Sequence, residues 1–208
     1  IISKVAQENN QTVYIVGGYV RDLLMQRKAP TDIDFVTEQS GIELAKAVGK
    51  ELGDLKVSVF KTYGTAMIKY QDLDLEFVGA RKESYSENSR KPAVETGTLE
   101  DDQKRRDFTV NALAISLNSE NFGELIDPFN GREDMQNKIL RTPLEPAQTY
   151  SDDPLRMMRA IRFASVLHFE IEKNSLEAIK QEAERIKIVS MERIMVEFNK
   201  IMLSEKPS

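Results

Sequence analysis

The chain has 208 residues, of which 40% are hydrophobic and 30% are charged, and its formal net charge is −5. It contains no cysteine and a single histidine, His168, which excludes disulfides, thiol catalysis and metal sites built on several cysteines or histidines. The negative net charge argues against a globally basic nucleic-acid-binding protein. Any chemistry must therefore rest on carboxylates, arginines and metal ions.

The first eighty residues have the pattern of a small mixed sheet with helices. Short apolar runs bounded by turn residues predict strands at 13–16, 32–36, 55–60, 65–70 and 73–78. Helical spacing of apolar residues predicts helices at 18–25 and 41–52. The next segment, 82–98, is polar and aperiodic. This composition predicts a mobile loop. Loops of this length inside a compact domain are often functional.

From residue 99 onward the pattern becomes helical. We predict a helix over 101–117, an extended piece at 125–129, and helices at about 152–167, 174–187 and 190–203. A proline-containing stretch around 140–150 predicts a boundary between a mixed front domain and an all-helical tail. The predicted fold class is α+β. No stretch reaches the apolar length of a membrane span, and no signal peptide is visible.

Two aspartates separated by one residue, Asp32 and Asp34, carry the strongest functional signal. On a strand both side chains point to one face, while Ile33 and Phe35 face the core. Their Cα atoms would lie about 6.6 Å apart. Two carboxylates at this spacing can share two Mg²⁺ ions in a site suited to in-line phosphoryl transfer. Taken alone, such a pair is more often a solvated strand edge or a turn.

A pair of glycines upstream strengthens the metal interpretation. A predicted strand ends in Gly17-Gly18 and is followed by a short helix. At such a turn, backbone N–H groups can approach a phosphate closely. Arg21, in the first turn of that helix, could pair with a triphosphate oxygen. The pattern predicts a nucleotide-phosphate site beside the carboxylates.

A second constellation recurs every three residues at Asp153, Arg156, Arg159 and Arg162. Asp153 and Arg156 would lie on one helix face. An Asp/Arg pair can read the pairing edge of cytosine or adenine, because each base presents an amine beside a ring acceptor. A local ion pair is the competing interpretation. Arg162 lies about 180° around the helix from Asp153, so Arg159 and Arg162 are predicted to reach phosphates or to brace the helix.

Between the two constellations lies a charged run that contains Arg105, Arg106 and Asp107. The two arginines could hold a triphosphate or a ribose, and Asp107 could orient one of them. The competing interpretation is an ordinary charged helix start.

Four motifs occur in order: Gly17-Gly-Tyr-Val-Arg-Asp, Asp32-Ile-Asp, Arg105-Arg-Asp-Phe-Thr-Val-Asn-Ala and Asp152-Asp-Pro-Leu-Arg-Met-Met-Arg-Ala-Ile-Arg-Phe-Ala. Together they resemble the class II tRNA nucleotidyltransferase (CCA-adding enzyme) and bacterial poly(A) polymerase family. The resemblance implies a polymerase-β-like catalytic head over residues 1–140, with a flexible loop at about 82–98. It implies a nucleotide-selecting helical neck over 141–208. Family members continue into body and tail regions, so this chain is expected to be part of a longer protein.

The resemblance also implies residue roles. Asp32 and Asp34 match the metal carboxylates, and Glu76 is the candidate third catalytic carboxylate. Asp153 and Arg156 match the base-reading pair. Other positions match nucleotide-contacting residues of the family: Gly18, Arg21, Arg106, Arg159 and Arg162.

The function implied is template-independent addition of CCA, or part of it, to tRNA 3′ ends from CTP and ATP. Two Mg²⁺ ions would assist, in a cytoplasmic enzyme with no membrane or protein partner. A poly(A) polymerase and a catalytically silent RNA-binding module are the alternatives. A small-molecule nucleotidyltransferase would have no need of the Asp/Arg reader. The sequence leaves open whether the product is CCA, CC only, or A only.

Overall fold

The computed structural model describes residues 1–28, 30–86 and 89–204, and for 83–86 and 89–94 it describes the backbone alone. The chain divides into two compact units. Unit 1 comprises 1–82, 94–103 and 111–128, and unit 2 comprises 83–93, 104–110 and 129–208. Residues 129–140, placed in the front domain by the sequence, therefore group with the tail. The predicted α+β class is confirmed.

The elements of the first part of the chain follow the predicted order as far as β5. They are α1 (Ile2–Glu8), β1 (Tyr14–Val16), α2 (Gly18–Leu24), β2 (Asp32–Thr37), α3 (Gly41–Glu51), β3 (Val57–Phe60), β4 (Thr65–Tyr70), β5 (Leu73–Gly79), β6 (Arg81–Ser86), β7 (Ser89–Thr96), α4 (Leu99–Lys104), β8 (Ala114–Ser116) and β9 (Leu125–Ile126). Helix α1 was not predicted.

Within the described residues, unit 1 is built on one mixed sheet with the spatial order β3-β4-β5-β2-β1-β8-β9. Strands β2 and β5 are parallel, and the other neighbouring pairs are antiparallel. Helix α3 covers one face with Leu44, Ala45 and Val48, which are fully buried. Its start is capped by Ser40, whose side chain accepts a hydrogen bond from the Glu43 N–H at 3.3 Å. The opposite face is the one on which β2 presents its aspartates.

The predicted helix over 101–117 is wrong beyond its first turn. Helix α4 ends at Lys104, a single 3₁₀ turn occupies Thr109–Asn111, and β8 then pairs with β1. Residues 110 and 112–114 are almost completely buried. Burial and pairing with β1 therefore override the helical propensity of this segment. A short, continuously apolar run fits a buried strand as well as a helix.

The predicted loop over 82–98 is also wrong as regards its secondary structure. Its backbone forms most of β6 and β7, which pair as a separate two-stranded sheet. Hydrogen bonds between the backbones of two strands form without apolar alternation of the side chains, so they leave no sign in the polar sequence. Residues 87 and 88, within the predicted loop, lie outside the described residues.

Unit 2 is mainly helical. Its elements after residue 129 are α5 (Gly131–Asn137), β10 (Ile139–Leu140), α6 (Pro146–Asp152), α7 (Leu155–Leu167), β11 (Glu170–Ile171), α8 (Lys173–Glu182), a 3₁₀ segment (Ala183–Ile188) and α9 (Met191–Met202). The stretch predicted as a domain boundary ends in α6, and the helix predicted to begin at 152 begins instead at Leu155. The extended backbone of Asp153, with φ −135° and ψ 96°, separates the two helices. In the part of the chain that the structure describes, no helix is both long and apolar enough to cross a bilayer.

Candidate functional site

Three carboxylates lie on one face of the unit 1 sheet, which we call the carboxylate face. In β2, Asp32 is exposed and Asp34 half-buried, whereas Ile33 and Phe35 are buried in the core. The predicted alternation is therefore confirmed. Asp34 is the register partner of Glu76 on the parallel neighbour β5, so both side chains point the same way.

Electrostatics show that these carboxylates affect one another. Desolvation is the largest cause that raises the pKa of Glu76, and the negative charges of Asp34 and Asp32 raise it further. Arg81 acts in the opposite direction. A carboxyl group whose pKa is raised by like charges marks a place where negative charge has accumulated.

This donor set fits a hard divalent cation. Carboxylate oxygens are the ligands that Mg²⁺ prefers, and Mg²⁺ in phosphoryl-transfer sites is held by one or two carboxylates, waters and substrate phosphates. Among the described residues no group of three or more His, Cys, Asp or Glu side chains forms a ready-made metal cage. Asp32 and Asp34 would thus supply part of a coordination shell. The role of Glu76 as a third catalytic carboxylate stays a prediction.

The glycine turn next to the carboxylate face has the predicted form. Gly17 caps α2 with φ 77° and ψ −137°, a conformation that side chains with a Cβ rarely adopt. Its N–H donates to the carbonyl of Leu113 at 3.1 Å. Helix α2 begins at Gly18, and phosphate binding by this turn stays a prediction.

Arg21 is buried and held within unit 1. Its Nε and Nη2 donate to the two carboxylate oxygens of Asp22 at 2.9 and 2.8 Å, and its Nη1 donates to Asn111 Oδ1 at 2.6 Å. These bonds fix the guanidinium beside the glycine turn, and its contact with a triphosphate stays a prediction. Asn111 was missed as a partner because ninety residues separate it from Arg21.

In unit 2, Arg105 and Arg106 are half-buried. The carbonyl of Arg105 accepts a hydrogen bond from Arg156 Nη2 at 2.6 Å. Asp107 is buried, and its Oδ2 accepts from Arg159 Nε at 2.7 Å. That Asp107 orients Arg105 or Arg106 stays a prediction, and the described contact adds Arg159 as a partner of this carboxylate. The negative charge of Asp107 is the largest cause that raises the pKa of Arg159.

Asp153 and Arg156 have different partners. Asp153 lies 3.7 Å from Arg193 on α9, and its Oδ1 accepts a hydrogen bond from the Leu155 N–H at 3.3 Å. Arg156 donates to the carbonyls of Arg105 and, at 3.4 Å, Thr149. These contacts hold each side chain in place, and the prediction that the two read a base edge stays open.

Arg162 lies against Glu197 of α9, with Nε 2.6 Å from Oε2, and over the ring of Phe163 at 4.1 Å. The pKa of Arg162 is lowered, mainly because burial disfavours its charged form, and the charge of Glu197 offsets part of this effect. The bracing role predicted as one alternative fits this geometry. Glu197 was not among the predicted residues, and its only signal in the sequence is an acidic residue on the buried side of an amphipathic helix.

Two family models match parts of this chain. Residues 13–141 match the model of the poly A polymerase head domain, and residues 168–208 match a probable RNA- and SrmB-binding site of polymerase A. An A-adding tRNA nucleotidyltransferase of Aquifex aeolicus is 44% identical over 81% of this chain and 20% of its own length. A CCA-adding enzyme of Lactobacillus helveticus is 40% identical over 90% of this chain and 45% of its own length.

Solved structures agree with the family match. A crystal structure of a tRNA nucleotidyltransferase with a primer tRNA and an incoming ATP analogue has a TM-score of 0.87 at 35% identity, covering 100% of this chain and 57% of that one. The predicted polymerase-β-like head is confirmed by these matches. The chain spans 45% of the length of the Lactobacillus enzyme and 20% of the length of the Aquifex protein. The chain belongs to the poly A polymerase head-domain family, in the class II group of CCA-adding and A-adding tRNA nucleotidyltransferases.

Proposed function

We propose that this chain carries out template-independent nucleotidyl transfer from CTP and ATP to the 3′ end of tRNA, with release of pyrophosphate. The observation that carries the proposal is the carboxylate face, where Asp34 and Glu76 are register partners and Asp32 adds to the same negative field. This arrangement supports a hard-cation site on one face of a nucleotidyltransferase sheet.

Asp32 and Asp34 would hold the cations, which we propose to be two Mg²⁺ ions. Bound there, the ions would supply Lewis-acid stabilisation of the charge that develops on the transferring phosphoryl group. The protein's own contribution is position. The α2 turn at Gly17 and Gly18 offers close backbone approach to phosphate, and Arg21 is fixed beside it by Asp22 and Asn111.

Unit 2 would supply nucleotide choice. Arg156 has five N–H donors, of which two point to carbonyls of the chain itself. The remaining donors can serve a ring nitrogen or carbonyl oxygen of the base, while the Asp153 carboxylate accepts from an exocyclic amine. Arg105, Arg106 and Arg159 are proposed to contribute positive charge near phosphate or ribose, whereas Arg162 is proposed mainly to brace α7 on α9.

Addition of A alone is a second candidate, because the Aquifex relative, 44% identical, is named as an A-adding enzyme. The two candidates differ in the acceptor they use. An A-adding enzyme extends only tRNA that already ends in CC, whereas a CCA-adding enzyme also extends tRNA that lacks both cytidines.

The test is single-turnover incorporation with the chain in excess over tRNA transcripts that lack one, two or all three nucleotides of the terminal CCA. Each NTP is supplied separately with Mg²⁺, and calorimetry measures the binding of each NTP in parallel. We expect Mg²⁺-dependent binding and incorporation of CTP and ATP, with UTP and GTP excluded. Binding of tRNA without Mg²⁺-dependent binding or incorporation of any nucleotide would favour a silent RNA-binding module.

A further inference from the structure

Two aromatic side chains are exposed at one edge of the unit 1 sheet, in the connection between β3 and β4. Phe60, the last residue of β3, is 46% exposed, and Tyr63, at the end of a 3₁₀ turn, is 68% exposed. Gly64 follows with φ 65° and turns the chain into β4. We call residues 60–64 the aromatic turn. Neither ring contributes to the core of the sheet.

The strand register places the aromatic turn on the same side of the sheet as the carboxylates. Phe60 is the partner of Thr65, and Thr65 is the partner of Val78. Val78 lies two residues after Glu76 on β5, so its side chain and that of Glu76 share a face. Because direct partners also share a face, Phe60 belongs to the carboxylate face. Two strand spacings and two residues separate Phe60 from Glu76, which is about 12 Å between Cα atoms.

Positive charge connects the turn to the carboxylates. Lys61, within the turn, is exposed. Arg81 donates from Nη1 to the carbonyl of Tyr63 at 3.5 Å, and the same guanidinium lowers the pKa of Glu76 through its charge. Arg81 therefore contacts the aromatic turn through a hydrogen bond and interacts electrostatically with Glu76 on the carboxylate face.

Exposed rings beside cations, on the face that holds the carboxylates, have the chemistry of a platform for single-stranded nucleic acid. Bases stack on aromatic rings whatever their sequence, and neighbouring cations follow the phosphate backbone. A protein partner would be expected to cover a broader apolar surface, whereas Lys61 and the exposed Thr62 between the two rings interrupt the apolar surface here.

We propose that the aromatic turn stacks on one of the last bases of the acceptor RNA strand and so positions its 3′ end at the carboxylate face. This inference rests on the proposed function and assigns a part of the acceptor site. Phe60 and Tyr63 are positioning residues: they touch the strand that is extended, and the reacting atoms lie beyond them.

The test measures binding and kinetics separately. The variants are Tyr63→Ala, Phe60→Ala and the double change, with Tyr63→Phe as the conservative rescue. Phe122→Ala is the matched control, because this ring is 66% exposed on the connection between β8 and β9, at the opposite edge of the sheet. Fluorescence anisotropy at low salt uses a labelled hexaribonucleotide that ends in two cytidines, and the same RNA serves as primer for incorporation.

We expect Tyr63→Ala or Phe60→Ala to raise the Kd and the primer KM about tenfold, equivalent to about 1.4 kcal/mol, as for loss of one stacked base. The KM for CTP and ATP should stay within about twofold of the wild-type value, and Tyr63→Phe and Phe122→Ala should behave as wild type. Unchanged primer Kd and KM in the double variant, with the fold intact by circular dichroism, would overturn the proposal.

A double-mutant cycle separates stacking from a merely structural role. An abasic nucleotide is placed in turn at each of the last three positions of the RNA. At one position the abasic change and Tyr63→Ala should together cost no more than either alone, because both remove the same contact. Additive effects at all three positions would contradict stacking. Because anisotropy needs no turnover, loss of incorporation in the wild-type chain would count against the proposed function while leaving the stacking result interpretable.

Discussion

On the carboxylate face of unit 1, burial and then the negative charges of Asp34 and Asp32 raise the pKa of Glu76, whereas on α7 of unit 2 each of two arginines lies against a carboxylate. Arg159 pairs with Asp107, and Arg162 pairs with Glu197. Like charges held together cost free energy unless a cation joins them, whereas a buried matched pair resists the loss of either partner, because that loss leaves an uncompensated buried charge. We therefore assign the clustered carboxylates of unit 1 to chemistry and the paired charges of unit 2 to its structural framework, meaning the contacts that hold its helices together.

The largest effect is expected where the like charges gather. Asp32→Asn or Asp34→Asn should reduce nucleotide incorporation by about a thousandfold or more, because the proposed two-metal site would lose a ligand worth several kcal/mol of transition-state stabilisation. The free energy of unfolding without metal should not fall, since each change relieves repulsion of Glu76. Near-normal turnover in both folded variants would remove the carboxylate face from the chemistry.

Breaking a matched pair in unit 2 should instead lower the free energy of unfolding. Glu197→Ala leaves the buried guanidinium of Arg162 without its carboxylate and should lower the free energy of unfolding by about 3 kcal/mol. Urea unfolding measures the change. The exposed pair of Lys46 with Glu43, at 2.8 Å, is the control, and Glu43→Ala should cost less than about 1 kcal/mol. Equal costs for the two variants would mean that the Arg162 pair is not part of the framework.

The framework of unit 2 should also respond to alkaline pH through Tyr150. Burial raises the pKa of this phenol from 10.0 to about 12, and its hydroxyl bonds to Ser175 at 2.9 Å. Below pH 10 the phenol is neutral in both states. As pH rises from 10 to 12 only the unfolded state ionises it, so stability is lost over that window, by an amount on the order of 2 kcal/mol.

Tyr150→Phe removes that part of the pH dependence and costs about 1 kcal/mol at neutral pH for the hydrogen bond to Ser175. Urea unfolding at intervals between pH 9 and 12 gives both quantities. A slope that is the same for Tyr150→Phe as for wild type would show that Tyr150 ionises freely in the folded state.

Asp153 and Arg156 test the comparison between the two units, because they lie in unit 2, where Arg159 and Arg162 are paired with carboxylates, and yet they are proposed to read bases. Asp153→Ala and Arg156→Ala should each reduce discrimination against UTP and GTP by about 1–3 kcal/mol. The test compares kcat/KM for the four NTPs. Arg193→Ala is the control, because it removes the ion pair with Asp153 and leaves Asp153 and Arg156 themselves in place. Unchanged selectivity together with lower stability would place the two residues in the framework.

Sequence patterns predicted the parts of this molecule that depend on neighbours along the chain. The alternation in β2 and the glycine turn at Gly17 are local features, and both were predicted correctly. The helix over 101–117 failed because pairing of β8 with β1 is a tertiary effect that overrides local propensity. The partners of Arg159 and Arg162 lie 52 and 35 residues away, and no spacing rule brings such residues together.

The most direct test of the central claim is a Mn²⁺ titration of this chain with a non-hydrolysable CTP analogue, read by the electron paramagnetic resonance signal of free Mn²⁺. Wild-type protein should bind Mn²⁺ beyond what the analogue carries alone, and Asp32→Asn and Asp34→Asn should each abolish that excess. Glu43→Gln, on α3 at the other face of the sheet, should bind as wild type. Equal excess binding by all four proteins would contradict the assignment of the carboxylate face as the cation site.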